Sequence, residues 1–519
     1  MHYYTCMTAI MNSMSQLKVT LIVPSVVSHG LDVHTGIPFM PHMAAYLASS
    51  LREMGHQVKV IDCFGEDFRN VERFNNFYFF GLDNRSISAR IDKDCKIVFV
   101  YCRTIEDLIS SQLICEHLRN LRPDIKIILF ENIQTVNSFS LKEVAQDLVP
   151  KFADIAVMGE PELRAGTLVE AALSLDKMML QKIAGIAFFD EIKNEVIFTN
   201  KETFNNELDK ISFPAWDLFN LSGYWEARFA HAPVKKRTKF LPLLTSRGCP
   251  YRCTFCVSPA INPTWRARSA ENVVSEIIHF KQNFGITDFH VSDLDPTISD
   301  SRIQSISKLL IASKANITWK IAQGTKIETI KSTETLSLMQ RSGCTFFSFS
   351  PETGSQRLLK IMNKRFDKKH ANRLLKHMNL IGLRTQACFI AGVPGENWVD
   401  RFKTLGYISK LVYLGVDEIA MTIFTPIPGA ALSKSMSGFV HYSELSHSPR
   451  WRKDFIMISF FRYLTYALFF TLKLTKLRKI IREISSIKSL NFETKMEMSL
   501  YKFFRIRNLA NESLGIKSK

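Results

Sequence analysis

The stretch Thr245–Pro259, TSRGCPYRCTFCVSP, places Cys249, Cys253 and Cys256 within eight residues of a chain that has ten cysteines in 519 positions. It follows the apolar, strand-length run FLPLLTS and precedes ENVVSEIIHFKQNFG, whose apolar residues recur at helical spacing. A CxxxCxxC cluster at such a junction has two chemical readings and a plainer one. Zinc needs a fourth ligand, usually a paired Cys or His at short spacing, and no second CxxC or HxxxH lies nearby. Three thiolates suit a four-iron cluster with one iron left open to another ligand. The plainer reading is three packed thiols without a metal.

Working outward, the strand and helix signals continue through ITDFHVSD, ITWKIAQG, CTFFSFSPETG, TQACFIAGVPGE and VDEIAMTIFTPIPG, each separated from the next by a helix-length amphipathic segment. About six such units fit a partial TIM-type (β/α)6 barrel over 240–435, with functional groups at strand C-terminal ends. Upstream, KVTLIVPS, QVKVIDC, CKIVFVYC, IKIILFEN and DIAVMGEPE are apolar runs separated by helical segments. Such runs imply a parallel sheet covered on both faces, with a ligand site at its carboxyl edge. The expected class is α/β: a doubly wound, Rossmann-like domain over 18–175, a hairpin and linker over 176–239, the barrel, and a helical extension over 436–519.

With 46% apolar and 22% charged residues, the chain can bury large cores in two or three domains. The remaining cysteines, Cys6, Cys63, Cys95, Cys102, Cys115, Cys344 and Cys388, are scattered, several within apolar runs, which is a reducing-compartment pattern. The start MHYYTCMTAIMNSMSQ lacks the basic beginning and continuous apolar centre of a secretory signal, so a frayed extension and a cytoplasmic location are expected.

The cysteine stretch resembles the signature of the radical S-adenosylmethionine (SAM) superfamily. That resemblance implies a 4Fe-4S cluster on Cys249, Cys253 and Cys256, with SAM chelated at the open iron and cleaved to a 5'-deoxyadenosyl radical. Phe255 stands at the family position that borders the adenine. SRGCPYRCTFC and the following WRARSAENVVSEI, with Arg266, Arg268 and Ser269, are similar to the cobalamin-binding branch. In VSDLDPT the resemblance implies Asp293 for the SAM amino group, with Asp295 beside it. FSPETGSQRLLKIMNK implies that Glu352 reaches the ribose or methionyl part. FIAGVPGEN brings Gly392 to the same cofactor, and TPIPGA closes the series. Each residue also has an ordinary reading: the two Asp as turn formers, Glu352 as a helix cap, Gly392 as a backbone-conformation residue.

The N-terminal region resembles that branch's cobalamin module through GIPFMPHMAAYLASSLREMGHQVKVID and DIAVMGEPE, which implies Gly159 and Glu160 at a corrinoid. DVHTG, Asp32 to Gly36, is similar to the DxHxxG motif in which histidine binds cobalt. Its glycine comes one residue early, so Gly36 is expected near the corrinoid and His34 is not expected on the metal. After the fourth strand of this series, FENIQTVNSFS has Glu131 and Asn132 where the family commonly has paired glycines.

From His447 onward, sixteen Lys and Arg stand against five Asp and Glu. FIMISFFRYLTYALFFTL is apolar but for Arg462, which is costly in the middle of a membrane span. An interfacial helix at the inner face of a membrane is expected, against the alternative of a helix packed over the barrel. Nucleic acid is not the expected partner, because basic charge alone does not discriminate. The resulting expectation is a cobalamin-dependent radical SAM enzyme that methylates or oxidatively cyclises an unactivated carbon of a small-molecule or lipid-like substrate. Its reductant would be an external one-electron donor such as flavodoxin or ferredoxin. The alternatives are a methylthiotransferase-like enzyme, which carries further cluster cysteines N-terminally and a C-terminal β-barrel, and a cluster- or corrinoid-binding redox protein without turnover.

Overall fold

Strands KVTLIV, IVFVYC and KIILFE are buried almost throughout because helices cover both faces of the sheet they form. The computed structural model describes residues 16–135 and 138–515. The N-terminal segment expected to fray, with Cys6, lies outside the described residues. In chain order the strands are β1 Lys18–Val23, β2 Val26–His29, β3 Gln57–Asp62, β4 Val71–Phe74, β5 Phe77–Phe80, β6 Ile97–Cys102, β7 Lys126–Glu131, β8 Ile155–Val157, β9 Ile186–Asp190 and β10 Glu195–Phe198. The first sheet has the order β10-β9-β8-β7-β6-β1-β3. Strands β3, β1, β6, β7 and β8 run parallel.

The β9–β10 hairpin was expected as part of a linker. It instead extends this sheet, because β9 pairs antiparallel with β8. A separate three-stranded antiparallel sheet, β2-β5-β4, was not foreseen. Cys102 ends β6, Cys63 follows β3, Cys95 precedes β6 and Cys115 is helical, and all four are buried.

The second sheet is entirely parallel in the order β11-β14-β15-β16-β17-β18, an open six-stranded barrel. Its strands are β11 Phe240–Leu243, β14 Asp288–Val291, β15 Thr318–Thr325, β16 Cys344–Glu352, β17 Arg384–Ala391 and β18 Glu418–Ile423. Between the first two, β12 Ser246–Arg247 and β13 Arg266–Ala267 pair as a short antiparallel ribbon.

Of the helices, α1 is His42–Glu53, α2 Leu108–Leu121, α3 Ala165–Ser174, α4 Ala270–Phe284, α5 Asp300–Ala312, α6 Thr333–Arg341, α7 Lys368–Leu380 and α8 Trp398–Leu414. The extension supplies α9 Phe455–Lys473, α10 Leu477–Ser489 and α11 Lys495–Ser513. It is helical, as expected, and works as a strap. Glu418 at the start of β18 accepts the Lys495 and Met496 amides of α11, at 3.1 and 2.5 Å. Farther along, Ser513 bonds both backbone groups of Val71. One helix therefore ties the barrel to the N-terminal domain.

Candidate functional site

The β12–β13 ribbon brackets the cysteine loop and fixes where it starts and ends. Gly248, at φ +79°, opens the loop, and a Cβ there would run into the Thr264 carbonyl, so the backbone approach requires glycine. Cys249 N–H donates to the Asn262 carbonyl at 3.1 Å. Thr254 is clamped by the Met362 and Ile361 carbonyls, both at 3.0 Å, and its own carbonyl accepts Leu432 N–H. The loop, which follows β11, is thus fastened to the segments that follow β16 and β18.

Within it Cys249, Cys253 and Cys256 are half-buried, whereas Cys63, Cys95, Cys102, Cys115 and Cys344 are buried. Burial pushes the Cys249 thiol up to about 12 and Cys256 to about 11, and neighbouring thiols add to both. A metal would displace those protons. Among the described residues no three His, Cys, Asp or Glu side chains converge as on a single metal ion. Three soft thiol donors without a fourth protein ligand fit an iron-sulfur cluster with an open iron. Phe255 packs with Leu358, Met362, Val393 and Phe424 at the loop's edge.

The two aspartates after β14 separate sharply. Asp293 is fully engaged: Oδ1 accepts Thr245 N–H at 2.7 Å, and Oδ2 accepts the Thr245 and Ser246 hydroxyls at 2.6 and 2.5 Å. It anchors the strand end that feeds the cysteine loop, with three of its roughly four acceptor sites taken. Asp295 Oδ1 accepts Thr297 and Thr325, while its Oδ2 is buried with no partner. Burial raises Asp295 to about 6, against the opposing pull of Thr325 and Thr297. Its charge is felt at Cys249 and Tyr251. Of the two acids, Asp295 is the one with a whole carboxylate oxygen left without a partner.

Glu352 ends β16 in the left-handed region at φ +62°, uncommon for a residue with a Cβ. It pairs with buried Lys364 at 2.7 Å. Lys364 lies near Cys253 and Cys256, where its charge favours their thiolates. The sequence contains this lysine in KIMNK, but nothing in that spacing predicts its contact. Gly392, after β17, owes its side-chain-free surface to the extension: a Cβ would meet Ile458 of α9, and its carbonyl accepts Arg452 at 3.0 Å.

At the N-terminal domain the expected corrinoid residues have protein partners. Glu160 accepts Arg266 through both oxygens, at 2.6 and 2.9 Å, and lies 3.4 Å from Arg247. Gly159 donates to Glu131 at 2.7 Å, with Glu202 over its α-carbon. Glu131, standing where glycines were expected, also accepts Leu141 N–H at 2.6 Å and stitches two loops of the carboxyl edge together. Gly36 packs on Ser28, and its loop is held by the extension, with Lys502 on the Val33 and Thr35 carbonyls and Ser448 on Asp32. Burial, with Arg462 nearby, keeps His34 well below its ordinary value and neutral.

A different pair faces the interface. Both side-chain atoms of Gln134 are buried without partners, and so is Gln323 Oε1 from the barrel. Gln323 Nε2 bridges to the Gln134 carbonyl at 3.0 Å. These amides stand at the junction of the two sheet edges with donors and acceptors left open, whereas Gly159 N–H and the Glu160 carboxylate are engaged within the protein.

The motif WRARSAENVVSEI has a structural account. Arg266 holds Glu160, Arg268 pairs with buried Glu276 and the Leu244 carbonyl, and Ser269 caps α4 through Asn272 N–H.

Residues 243–408 match the family model described as the radical SAM superfamily. The chain is 25% identical over 453 residues to cytidylyl-2-hydroxyethylphosphonate methyltransferase of Streptomyces wedmorensis, covering 80% of this chain and 81% of that one. It is 26% identical over 369 residues to the anaerobic magnesium-protoporphyrin IX monomethyl ester cyclase of Cereibacter sphaeroides, covering 66% of this chain and 57% of the cyclase. Its fold is similar to that of TsrM from Kitasatospora setae, a radical SAM methyltransferase solved with cobalamin and a 4Fe-4S cluster. The TM-score is 0.61 at 17% identity, over 81% of this chain and 78% of that one. The cysteine loop and most of the six-stranded parallel barrel thus fall within a radical SAM domain, and the fold of the chain around it is similar to that of TsrM.

Proposed function

We propose that the protein is a radical SAM enzyme that methylates, or oxidatively cyclises, an unactivated carbon of a small-molecule or lipid-like substrate. The observation that carries this reading is the half-buried three-thiol loop at the carboxyl ends of six parallel strands, with one unpaired carboxylate oxygen of Asp295 beside it. When bound, a 4Fe-4S cluster and cobalamin would supply the electron for SAM cleavage and a carrier for the methyl group.

The protein's own residues bind and orient. Cys249, Cys253 and Cys256 hold the cluster. Asp295 receives the SAM ammonium, Phe255 borders the adenine, and Glu352, paired with Lys364, offers acceptors to the sugar or methionyl part. Gln134 and Gln323 present their amides to the corrinoid. Methyl transfer has the support of the methyltransferase relative, which aligns over most of both chains; cyclisation has that of the cyclase.

The exposed aromatic face of α9 supports peripheral contact with a membrane. This is the one helix among the described residues long and apolar enough to cross a bilayer, yet about a third of it is buried against the protein. Ile456, Phe460 and Tyr463 lie on its open side. An external one-electron donor such as flavodoxin or ferredoxin completes the cycle.

Anaerobically reconstituted protein, given SAM, hydroxocobalamin and a reductant, is the test. Methyl transfer yields S-adenosylhomocysteine alongside 5'-deoxyadenosine, whereas cyclisation yields 5'-deoxyadenosine alone. Absence of both products, with cluster, SAM and substrate present, would refute the reading.

A further inference from the structure

Helix α9 carries one basic side chain in the middle of its apolar length, and the fold buries it. Arg462 is 1% exposed, and its Nε and Nη1 have no hydrogen-bond partner. One turn earlier Ser459 is also buried, and its hydroxyl is likewise unpartnered. Both side chains line a cavity of about 510 Å³ between α9 and the loop after β2.

Arg462 feels Asp32 through space and lies 5.7 Å from the centre of the Tyr463 ring, but neither contact takes the hydrogens of its Nε or Nη1. Asp32 accepts Ser448 at 2.8 Å and pairs with Arg450 at 3.3 Å. Behind the guanidinium, burial and Arg462 itself keep His34 and His447 neutral, and Lys502 donates to the Val33 and Thr35 carbonyls. A guanidinium with two buried, unpaired N–H groups is costly unless something completes it. The rim of the same cavity is apolar, with Ile456 83%, Phe460 67% and Tyr463 65% exposed.

The buried fork and hydroxyl beneath this groove, with three exposed apolar side chains over them, suit a two-part ligand whose polar end displaces the rim to reach them. We propose that this cavity binds an amphiphile through its anionic oxyacid group. A phosphate or carboxylate is received by Arg462 Nε and Nη1 and by Ser459 Oγ, and the hydrocarbon chain lies on Ile456, Phe460 and Tyr463. Only the biological source of the ligand rests on the lipid-like reading above; the binding itself needs neither cluster nor SAM chemistry.

The test is calorimetric titration of the full-length, reconstituted protein with monododecyl phosphate below its micellar concentration and, separately, with inorganic phosphate. Flotation on phosphatidylcholine vesicles with and without phosphatidic acid runs in parallel. Dodecyl phosphate is expected to bind at least about tenfold tighter than inorganic phosphate, since the chain adds buried apolar area. Arg462→Gln is expected to weaken it by about tenfold or more through the lost charge-assisted bonds. Because Arg462 is buried, the exposed substitution Phe460→Ser provides a second variant that leaves the fold alone; it should remove the preference for dodecyl phosphate over phosphate.

Binding of the dispersed amphiphile without flotation supports the site and assigns it to a soluble amphiphile. Flotation that requires phosphatidic acid and is lost in Arg462→Gln supports it as a lipid-headgroup site. Dodecyl phosphate binding no tighter than inorganic phosphate, or binding unchanged in both variants, overturns the proposal, whatever the outcome for SAM cleavage.

Discussion

Arg266, in the ribbon that brackets the cysteine loop, grips Glu160 at the carboxyl edge of the first sheet through two hydrogen bonds of 2.6 and 2.9 Å. Both side chains are buried, and the pair joins the two domains beside the cluster loop. Burial alone would raise Glu160, but Arg247 and Arg266 more than offset it and hold the carboxyl below its ordinary value. The group therefore contributes stability that is complete above about pH 5 and lost as the pH falls through its lowered pKa.

Removing one partner of such a pair leaves a buried charge unanswered. Glu160→Ala is expected to destabilise the protein by about 3 kcal/mol at neutral pH, read as a shift of the urea midpoint, with the difference from wild type shrinking in acid. A midpoint within experimental error of wild type would mean that the domains do not depend on this latch.

The two aspartates after β14 should part company in solution. Asp293→Asn breaks contacts to Thr245 and Ser246 and is expected to lower stability. Asp295→Asn should do the reverse above pH 6. Because burial raises Asp295 to about 6 in the folded state, its ionisation costs up to about 3 kcal/mol above that pH, and the cost fades towards pH 4. The same substitution is expected to weaken SAM binding at least about tenfold, measured by equilibrium dialysis. Tight SAM binding in Asp295→Asn with loss in a folded Asp293→Asn would reverse the assignment.

Lys364, which holds Glu352, is a cation whose charge reaches both Cys253 and Cys256. Lys364→Met removes positive charge beside the cluster, which disfavours the added electron, so the midpoint potential is expected to fall. A redox titration followed by electron paramagnetic resonance reads this directly. An unchanged potential would confine Lys364 to a structural role.

What could be read from the sequence depended on whether the decisive contact was local. The cysteine loop and the parallel strands were legible because thiol spacing and unbroken apolar runs are local signals. Strands β2, β4 and β5 were missed, since VVSH, VERF and FYFF are short and show no clean alternation. Spacing could not choose between Asp293 and Asp295, which lie two residues apart in a loop whose turns decide where each points. Gly392 reads as a loop glycine, but its neighbour Ile458 lies far along the chain. Arg462 looked like a costly charge in a spanning helix; tertiary packing turned it inward.

The extension is also less separable than its composition suggests. Thr494 caps α11 in a capping box with Glu497, and the first amides of that helix close onto Glu418 inside the barrel. Thr494→Ala is expected to cost about 1 kcal/mol, seen as a lower thermal midpoint. Deleting everything beyond Ser446 should leave an aggregating barrel rather than a soluble core. A monodisperse truncated protein with an unchanged midpoint would show that α11 is dispensable.

The central claim is that Cys249, Cys253 and Cys256 hold a cluster that cleaves SAM, and the most direct measurement is iron content together with 5'-deoxyadenosine release from anaerobically reconstituted single-cysteine variants. Cys249→Ala, Cys253→Ala and Cys256→Ala are each expected to abolish release and to lose most of the roughly four irons of a cubane cluster, while Cys344→Ala and Cys388→Ala keep both. Equal loss from all five variants, or iron and product retained in the first three, would contradict the account.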